Sequence, residues 1–423
     1  MVYINFTDKN GNILIDSLGY EFLVRSSSAD VKTKITRRLT LEEIRDLVND
    51  NSMKCTFYLY ALYDDETVKE DLSEYVLDGG SLSINYNSGV RRNLSISIFN
   101  EKNWIPNPVK GFLWKGSKFK LEISIRTSLV EYICSAGVFI LKEFEMPHKY
   151  SNNQINLEMV DKFGGLDGTV GGKIIDGIYI PRGSNIVDAI KGLLKSEKIA
   201  GNCFDTKTPL FPSWVYSATT PYTITESSDS TIGALIIKLL TIVNLDVFYD
   251  EYGRMCFEEM RENMLVDSLP SLWTFTNAES IYDSHTMKAD FQSVENVVVV
   301  EGANINGDIV NVRVENLNPK SPTNITMFEP TICKIVDENI ADIGSARLRA
   351  EYELFKRSLL PIAETFSTVL IPALTVNTAI TIDDSYCGLK NAKFLINSIN
   401  IPVSGTVKME ITVSNLEEVA FSG

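Results

Sequence analysis

The chain has little of what common enzyme sites are built from. Its 423 residues include only two histidines, His148 and His285, and neither lies in an HExxH or HxH pattern, so both are expected in loops. The six cysteines are widely spaced without a CxxC pair, which argues against a zinc site and favours reduced, buried thiols. A GxSxG nucleophile turn is also absent. The sequence therefore predicts no catalytic site, no metal and no cofactor.

Long apolar runs are missing as well. The longest apolar stretch, residues 232–243, is interrupted by Lys238 and stays below the ~18 apolar residues that a membrane span needs. The first residues do not show a basic segment followed by an apolar one, so we expect no secretory signal peptide. These features predict synthesis in the bacterial cytoplasm and no insertion of this chain into a membrane.

Acidic residues are in excess. The sequence contains 55 acidic and 40 basic residues, and its formal net charge is −15. Because affinity for phosphates comes from concentrated Lys and Arg, this balance argues against an ordinary nucleic-acid-binding protein. It suits a surface that DNA passes without binding. The acidic residues at 64–71 and the pair Asp383 and Asp384 lack calcium-loop spacing, and we expect them in solvated turns.

The pattern that dominates the sequence is an alternation of apolar and polar residues with period two. It runs from about residue 66 to 161 and returns from 285 to 423, and it is typical of antiparallel sheet. Helical periodicity appears between 162 and 284, and one further helix is predicted at about 339–357. The predicted fold class is α+β, mainly antiparallel β. Two tube-like β-barrel domains, 66–161 and 285–423, flank a small α/β domain, and residues 1–65 are an N-terminal segment that could complete the first barrel.

The segment from residue 76 to 100 predicts a β-hairpin that turns at residues 87–89. Arg91 and Arg92 stand at the start of its second strand. Neighbouring residues on a strand point to opposite faces, so the two guanidinium groups are not expected to bind one phosphate. We expect one arginine to meet a carboxylate of a neighbour or partner and the other to face solvent.

The order of these elements resembles the tail hub, or baseplate hub, proteins of long-tailed bacteriophages and phage-tail-like bacteriocins, which are related to the spike hub domains of type VI secretion. The resemblance covers about residues 70–423. The stretches that carry it are "LSEYVLDGGSLSINYN", "RRNLSISIFN", "WKGSKFKLEISIR", "NNQINLEMVDKFGGLDG", "IPRGSNIVDAIKGLL", "ARLRAEYEL" and "FLINSINIPVSGTVKMEITVSNL".

The resemblance implies a structural virion protein rather than an enzyme. In that family the hub is a homotrimer in which two tube-like domains per chain make a pseudo-sixfold ring. As a symmetry adaptor, the ring would join the tail tube protein to the central spike or other baseplate proteins. Tape-measure protein or DNA would pass through its lumen without specific binding. The implied location is the baseplate or tail tip of a virion or phage-tail-like particle.

Candidate functional residues are therefore interface residues. We predict subunit contacts at two strand edges and on the last helix, and the residues are Arg91, Arg92, Ile96, Ile98, Phe99, Val298, Val300, Arg347, Arg349 and Arg357. Two other functions stay open. A receptor- or glycan-binding tail protein would use some of the four tryptophans as stacking platforms. A cell-wall hydrolase would need a carboxylate or Cys/His site in a cleft.

Overall fold

The computed structural model describes residues 2–5, 23–26, 32–35, 40–49, 53–87, 89–107, 109, 111–127, 130–149, 152–195, 199–200, 211–260, 269–276, 285–303, 309–319, 321–336, 340, 342–406 and 408–415. The chain divides into two compact units. The first comprises Met1–Asn263, Val369–Thr375 and Ser398–Met409. The second comprises Met264–Thr368, Val376–Asn397 and Glu410–Gly423. The domain boundaries expected from the sequence stay a prediction.

The elements of the first unit are mostly strands. They are β1 Val2–Asn5, β2 Leu23–Ser26, β3 Lys32–Ile35, β4 Lys54–Leu62, β5 Val68–Asp71, β6 Val76–Asn85, β7 Arg92–Phe99, β8 Lys118–Arg126, β9 Val130–Glu145, β10 His148–Lys149, β11 Asn152–Asp161, β12 Lys173–Ile174, β13 Ile178–Ile180, β14 Ile199–Ala200, β15 Ile224–Glu226, β16 Leu245–Tyr249 and β17 Met255–Glu259. The α-helices are α1 Leu41–Val48, α2 Ile186–Leu194 and α3 Ile232–Thr241.

The second unit holds the remaining elements. Its strands are β18 Trp273–Thr276, β19 His285–Ala289, β20 Val297–Ala303, β21 Ile309–Glu315, β22 Ile332–Val336, β23 Ile362–Val369 and β24 Ala379–Asp384, and its helix is α4 Ile343–Arg357. The last residue of β23, Val369, belongs to the first unit, and two further strands have residues in both units, β25 Leu389–Pro402 and β26 Lys408–Asn415. The predicted last helix is confirmed from Ile343, and residue 339 lies outside the described residues.

The main sheet of the first unit is antiparallel apart from β3, which pairs in parallel with β9. Its strands follow the order β5, β4, β8, β9, β11, β7 and β6, and Ser398–Pro402 of β25 pair with β6. Side chains alternate as predicted: on β7, Leu94, Ile96 and Ile98 are buried, whereas the serines between them are half-exposed. The fold class, α+β and mainly antiparallel β, is confirmed. Pairing among the described strands closes no barrel, so the two closed barrels expected from the sequence are not seen.

The α/β part of the first unit has its own core. Helices α2 and α3 begin after the caps Asn185 and Thr231, whose side chains accept hydrogen bonds from the first turn of each helix. Their apolar faces pack with the hairpin of β16 and β17 in one cluster of buried side chains. Such burial is the main stabilising term for short helices. This hairpin also supplies charged groups to the site described below.

The second unit contains a helix packed on a sheet. Strand β20 lies between β21, which is antiparallel to it, and β22, which is parallel. Helix α4 covers this sheet, and its fully buried Ala346 and Ala350 lie in one cluster with Val298 and Val300. Separately, β18 pairs in parallel with β24, and β19 pairs antiparallel with β23. Neither of these two parallel pairings was expected from the alternation pattern.

Candidate functional site

The predicted hairpin of β6 and β7 is confirmed. Leu82 lies opposite Leu94, and a register shift separates Val76 from Gly80. At Gly80 the backbone φ is +82°, and a Cβ atom there would stand 2.3 Å from the carbonyl oxygen of Ser95. Glycine is therefore required at this bulge. The core-facing side chains of Ile96 and Ile98 are buried within this chain, and the backbone of β7 pairs with β6 on one edge and with β11 on the other. A subunit contact through Ile96 or Ile98 stays a prediction.

Both arginines of the hairpin are buried, with relative exposures of 1% for Arg91 and 4% for Arg92. The Arg91 guanidinium lies 4.1 Å from the ring centroid of Phe248, and its Nη2 is 2.6 Å from Oε1 of Glu258. That contact is an ion pair without hydrogen-bond alignment. Nε of Arg91 donates to the carbonyl of Asn87 at 2.6 Å. The charge is thus balanced from β16 and β17, which pack over the hairpin.

Arg92 is held by the turn end of the β16–β17 hairpin, which also contacts Arg91. Its Nη1 donates to the carbonyl oxygen of Tyr249, and its Nη2 lies 3.8 Å from Oε2 of Glu251. Burial lowers the pKa of Arg92, while the carboxylates of Glu251, Asp161 and Asp250 oppose that shift. The expectation that one arginine of the pair faces solvent is wrong. Alternation along β7 places the two arginine side chains on opposite faces. It gives no information on the β16–β17 hairpin, which lies about 150 residues away in the sequence and covers both.

Asp161 holds the backbone at the base of this site. Its Oδ2 accepts from the amide groups of Arg91 at 2.7 Å and Arg92 at 3.0 Å, and its Oδ1 accepts from Phe163 at 3.0 Å. Burial raises the pKa of this carboxyl to about 6, and the three backbone donors partly oppose the shift. One side chain therefore fixes the end of β11 to the start of β7.

A second buried ion pair lies beside the first. Nζ of Lys162 is 2.5 Å from Oε1 of Glu66 and donates to the carbonyl of Gly253 at 2.9 Å, and Lys118 lies 3.8 Å from the same carboxylate. The prediction of a solvated turn is therefore wrong for Glu66, because Lys118 at the start of β8 and Lys162, directly after β11, cover its carboxylate. Together these groups form a buried ionic layer that ties the sheet to the α/β part. We call it the ionic layer: Glu66, Arg91, Arg92, Lys118, Asp161, Lys162, Glu251 and Glu258.

The outer face of the same sheet is polar. Facing residues on β6, β7, β11 and β9 are Ser81, Ser83, Asn93, Ser95, Ser97, Gln154, Asn156, Glu158, Glu143 and Glu145. We call this set the polar face. Oγ of Ser95 donates to Glu158 at 2.6 Å, and Oγ of Ser97 donates to Asn156 at 2.8 Å. Its charged side chains are three glutamates, and Lys142 at its rim lies 3.8 Å from Glu143.

The remaining predicted residues lie on β20 and α4. Val298 and Val300 are fully buried under α4, whereas Arg347, Arg349 and Arg357 are exposed. Arg349 and Arg357 both bind the buried carboxylate of Glu353, at 2.8 Å each, and Arg357 also binds Glu295 at 2.6 Å. A contact between these arginines and another subunit stays a prediction, as does one through Phe99, which is partly exposed at the end of β7.

Helix α4 also exposes apolar side chains. Leu348, Tyr352 and Phe355 lie on one side at a spacing of three to four residues, and their relative exposures are 71%, 41% and 80%. We call them the apolar face of α4. Large apolar side chains grouped in this way are typical of a surface that contacts another protein. The sequence-based choice of residues on this helix selected the arginines and missed the apolar side chains between them.

Two expectations about titratable residues are wrong. His148 and His285 lie in strands β10 and β19 rather than in loops. Asp384 was expected in a solvated turn but is fully buried, and its Oδ2 lies 2.9 Å from Nε2 of His285.

The described cysteines are free, with Cys55 and Cys333 buried and the others half-buried. Of the helices that the structure describes, none combines the length and hydropathy of a bilayer-crossing segment.

Solved structures of other proteins share this architecture. A tail protein from Neisseria meningitidis MC58 matches with a TM-score of 0.54 at 11% identity, over 86% of this chain and 97% of that chain. The 43 kDa tail protein of prophage MuSo2 from Shewanella oneidensis matches with a TM-score of 0.54 at 11% identity, over 85% and 98%. A chain of the Francisella PdpA-VgrG complex matches with a TM-score of 0.52 at 11% identity, over 86% and 53%. No protein-family model and no curated protein matches the sequence. The fold implied by the resemblance is therefore confirmed.

Proposed function

We propose, because this chain has the fold of phage tail proteins, that it is a structural tail hub and not an enzyme. The observation that carries the proposal is the extent of the likeness, which covers 85–86% of this chain and 97–98% of two solved tail proteins. Both units are thus part of the shared architecture, rather than one domain attached to a different protein. Because the sequence identity to these proteins is low, the likeness shows the fold alone, and the role in a tail is our proposal.

In the proposed particle, three copies form a ring that joins the tail tube to the central spike or other baseplate proteins. The apolar face of α4 supports such an assembly, because Leu348 and Phe355 would be removed from water at a permanent interface. Arg347 and Arg349, exposed on the same helix, would form the polar part of that interface.

We further propose that the polar face lines the lumen of the ring. Its side chains are serines, amides and three glutamates, several of them joined by cross-strand hydrogen bonds. Carboxylates repel DNA phosphates, so DNA or tape-measure protein would pass this wall without specific binding. The ionic layer on the opposite side of β7 would hold the wall in place.

The test has two parts. Mass photometry and negative-stain electron microscopy of the purified chain should find trimers that form rings. Mass spectrometry of tail particles induced from the source bacterium should find the chain among their proteins. Absence of the chain from those particles would contradict a tail role. A stable monomer at micromolar concentration, alone and with the tail tube protein, would contradict the trimer while leaving the tail role standing.

A further inference from the structure

Three side chains that commonly bind metals meet in the second unit. His285 is the first residue of β19, Asp384 is the last residue of β24, and Cys387 lies in the turn that leads to β25. One nitrogen, one oxygen and one sulfur atom from these side chains all lie within 4.8 Å of one another. None of the three belongs to the ionic layer, the polar face or the apolar face of α4, so the tail function leaves this cluster unexplained.

The fold builds this cluster with specific local geometry. The pairing of β24 and β25 shifts register between Ile382 and Asp384, and such bulges change the direction of a side chain. The amide of Tyr386 then donates to Oδ1 of Asp384 at 2.8 Å, which leaves Oδ2 directed at His285. Gly388, with φ at +71°, lets the turn reverse so that Cys387 returns to the carboxylate.

The donor set suits zinc. Imidazole nitrogen, thiolate sulfur and carboxylate oxygen are all common zinc ligands, and tetrahedral coordination places the ligand atoms about 3.4–3.8 Å apart. In the cluster, His285 and Asp384 lie 2.9 Å apart and no two ligand atoms lie beyond 4.8 Å, so side-chain movements of about 1 Å reach that geometry. Asp384 is fully buried, whereas His285 and Cys387 are half-buried, so an ion has a path of entry.

The electrostatic surroundings favour a cation as well. Asp384 and Glu364 are fully buried carboxylates, and Glu364 lies on β23 two residues before Phe366, which pairs with His285. Their negative charge favours a cation, and a bound divalent ion would stabilise the Cys387 thiolate directly.

We propose that His285, Asp384 and Cys387 form a binding site for a divalent transition metal of the zinc type, which links β19 to the turn between β24 and β25. A water molecule would complete a tetrahedral set of four ligands. The ion would join residues that are about a hundred positions apart in the sequence. The proposal goes beyond the tail function and does not depend on it.

Cobalt is the sharpest probe, because Co²⁺ replaces Zn²⁺ at such sites and reports its ligands by absorption. The purified full chain is stripped with chelator and titrated with Co²⁺ under reducing conditions. We expect Co²⁺ to bind with a thiolate-to-metal charge-transfer band in the near ultraviolet. Cys387→Ser should abolish that band, and His285→Gln should weaken Co²⁺ affinity by about 10-fold or more. Cys256→Ser, a half-buried thiol in the first unit, is the matched control and should leave the spectrum unchanged.

A second measurement covers the case in which a variant folds poorly. Zn²⁺ at about 100 times its dissociation constant should raise the Tm of the wild-type chain by about 5 °C, and Mg²⁺ should not. Circular dichroism establishes that each variant is folded before its affinity is read. The proposal is overturned if wild-type protein shows no charge-transfer band, or if Cys387→Ser retains it. It is also overturned if Zn²⁺ and Mg²⁺ have the same effect on Tm.

Discussion

The arginines of the β6–β7 hairpin and those of α4 were given one role from the sequence, yet they occupy opposite environments. Arg91 and Arg92 are buried and meet carboxylates, a carbonyl and aromatic rings of their own chain. Arg347, Arg349 and Arg357 are exposed on a helix whose core-facing side is made of small residues. Arg349 and Arg357 also meet carboxylates of their own chain, Glu353 and Glu295, but they do so from exposed positions. Burial marks the first group as structural, and exposure beside apolar side chains leaves the second group for an interface.

The largest effect is expected from Arg92→Ala. The substitution leaves the Tyr249 carbonyl and nearby carboxylates in a buried layer without their cation, so the free energy of unfolding should fall by about 3–5 kcal/mol. Chemical denaturation measures the change. The matched control is Arg254→Ala, at the turn of the β16–β17 hairpin that Arg92 contacts. There an exposed guanidinium binds Asp250 at 2.7 Å, and we expect the free energy of unfolding to fall by less than about 1 kcal/mol. Equal losses in the two variants would remove the distinction between buried and exposed pairs.

An assembly effect of comparable size is expected from Phe355→Asp. The side chain is 80% exposed in the single chain, so the folded monomer should keep its stability within about 0.5 kcal/mol. A charge in the centre of an apolar interface should weaken the trimer by about 2 kcal/mol or more, which is roughly a 30-fold rise in the dissociation constant. Mass photometry over a dilution series reads this change. An unaltered dissociation constant would place the interface elsewhere on the chain.

The third prediction concerns pH and the ionic layer. Burial raises the pKa of Asp161 to about 6 in the folded chain, above its ordinary value of 3.8. A raised folded pKa means that protonation favours the folded state, so this stabilisation is present at low pH and is lost as pH rises towards 6. Asp161→Ala removes both the titration and the acceptor of three backbone amides, so it should destabilise the chain at every pH.

The measurement is the difference in unfolding free energy between wild type and Asp161→Ala. That difference should shrink by about 2 kcal/mol between pH 4.5 and pH 7. Titrations that both proteins share cancel in the comparison. A difference that grows with pH would show that the three amide donors and Arg92 outweigh burial, so that the pKa of Asp161 is lowered.

The sequence predicted the local parts of this architecture well. Alternation along β7 identified its buried residues, the turn of the hairpin was located, and the capping box of Thr40 and Glu43 begins α1 as expected. Each of these features depends on residues within about ten positions of one another. Periodicity and capping act over that range, so the sequence alone contains the information.

The sequence could not predict contacts between distant segments. Arg91 and Glu258 are separated by 167 positions, and their pairing depends on how β17 packs on the hairpin. The cluster of His285, Asp384 and Cys387 likewise has no short-range spacing that a motif search would detect, and the bulge at Asp384 changes the direction that alternation assigns. Glu66 was expected in a solvated turn because its acidic run lacks calcium-loop spacing, whereas its lysine partners come from β8 and from the residue that follows β11.

The smallest effect is expected from Arg347→Ala, and it is the direct counterpart of Arg92→Ala. The residue type and the substitution are the same, and only the environment differs: Arg347 is exposed on α4, so the free energy of unfolding should change by less than about 0.5 kcal/mol. Denaturation at a protein concentration too low for trimers to form measures the free energy of unfolding without a contribution from assembly. A loss above about 2 kcal/mol would mean that Arg347 has acceptors within its own chain. The two groups of arginines would then be alike, and the interface assigned to α4 would have to rest on its apolar face alone.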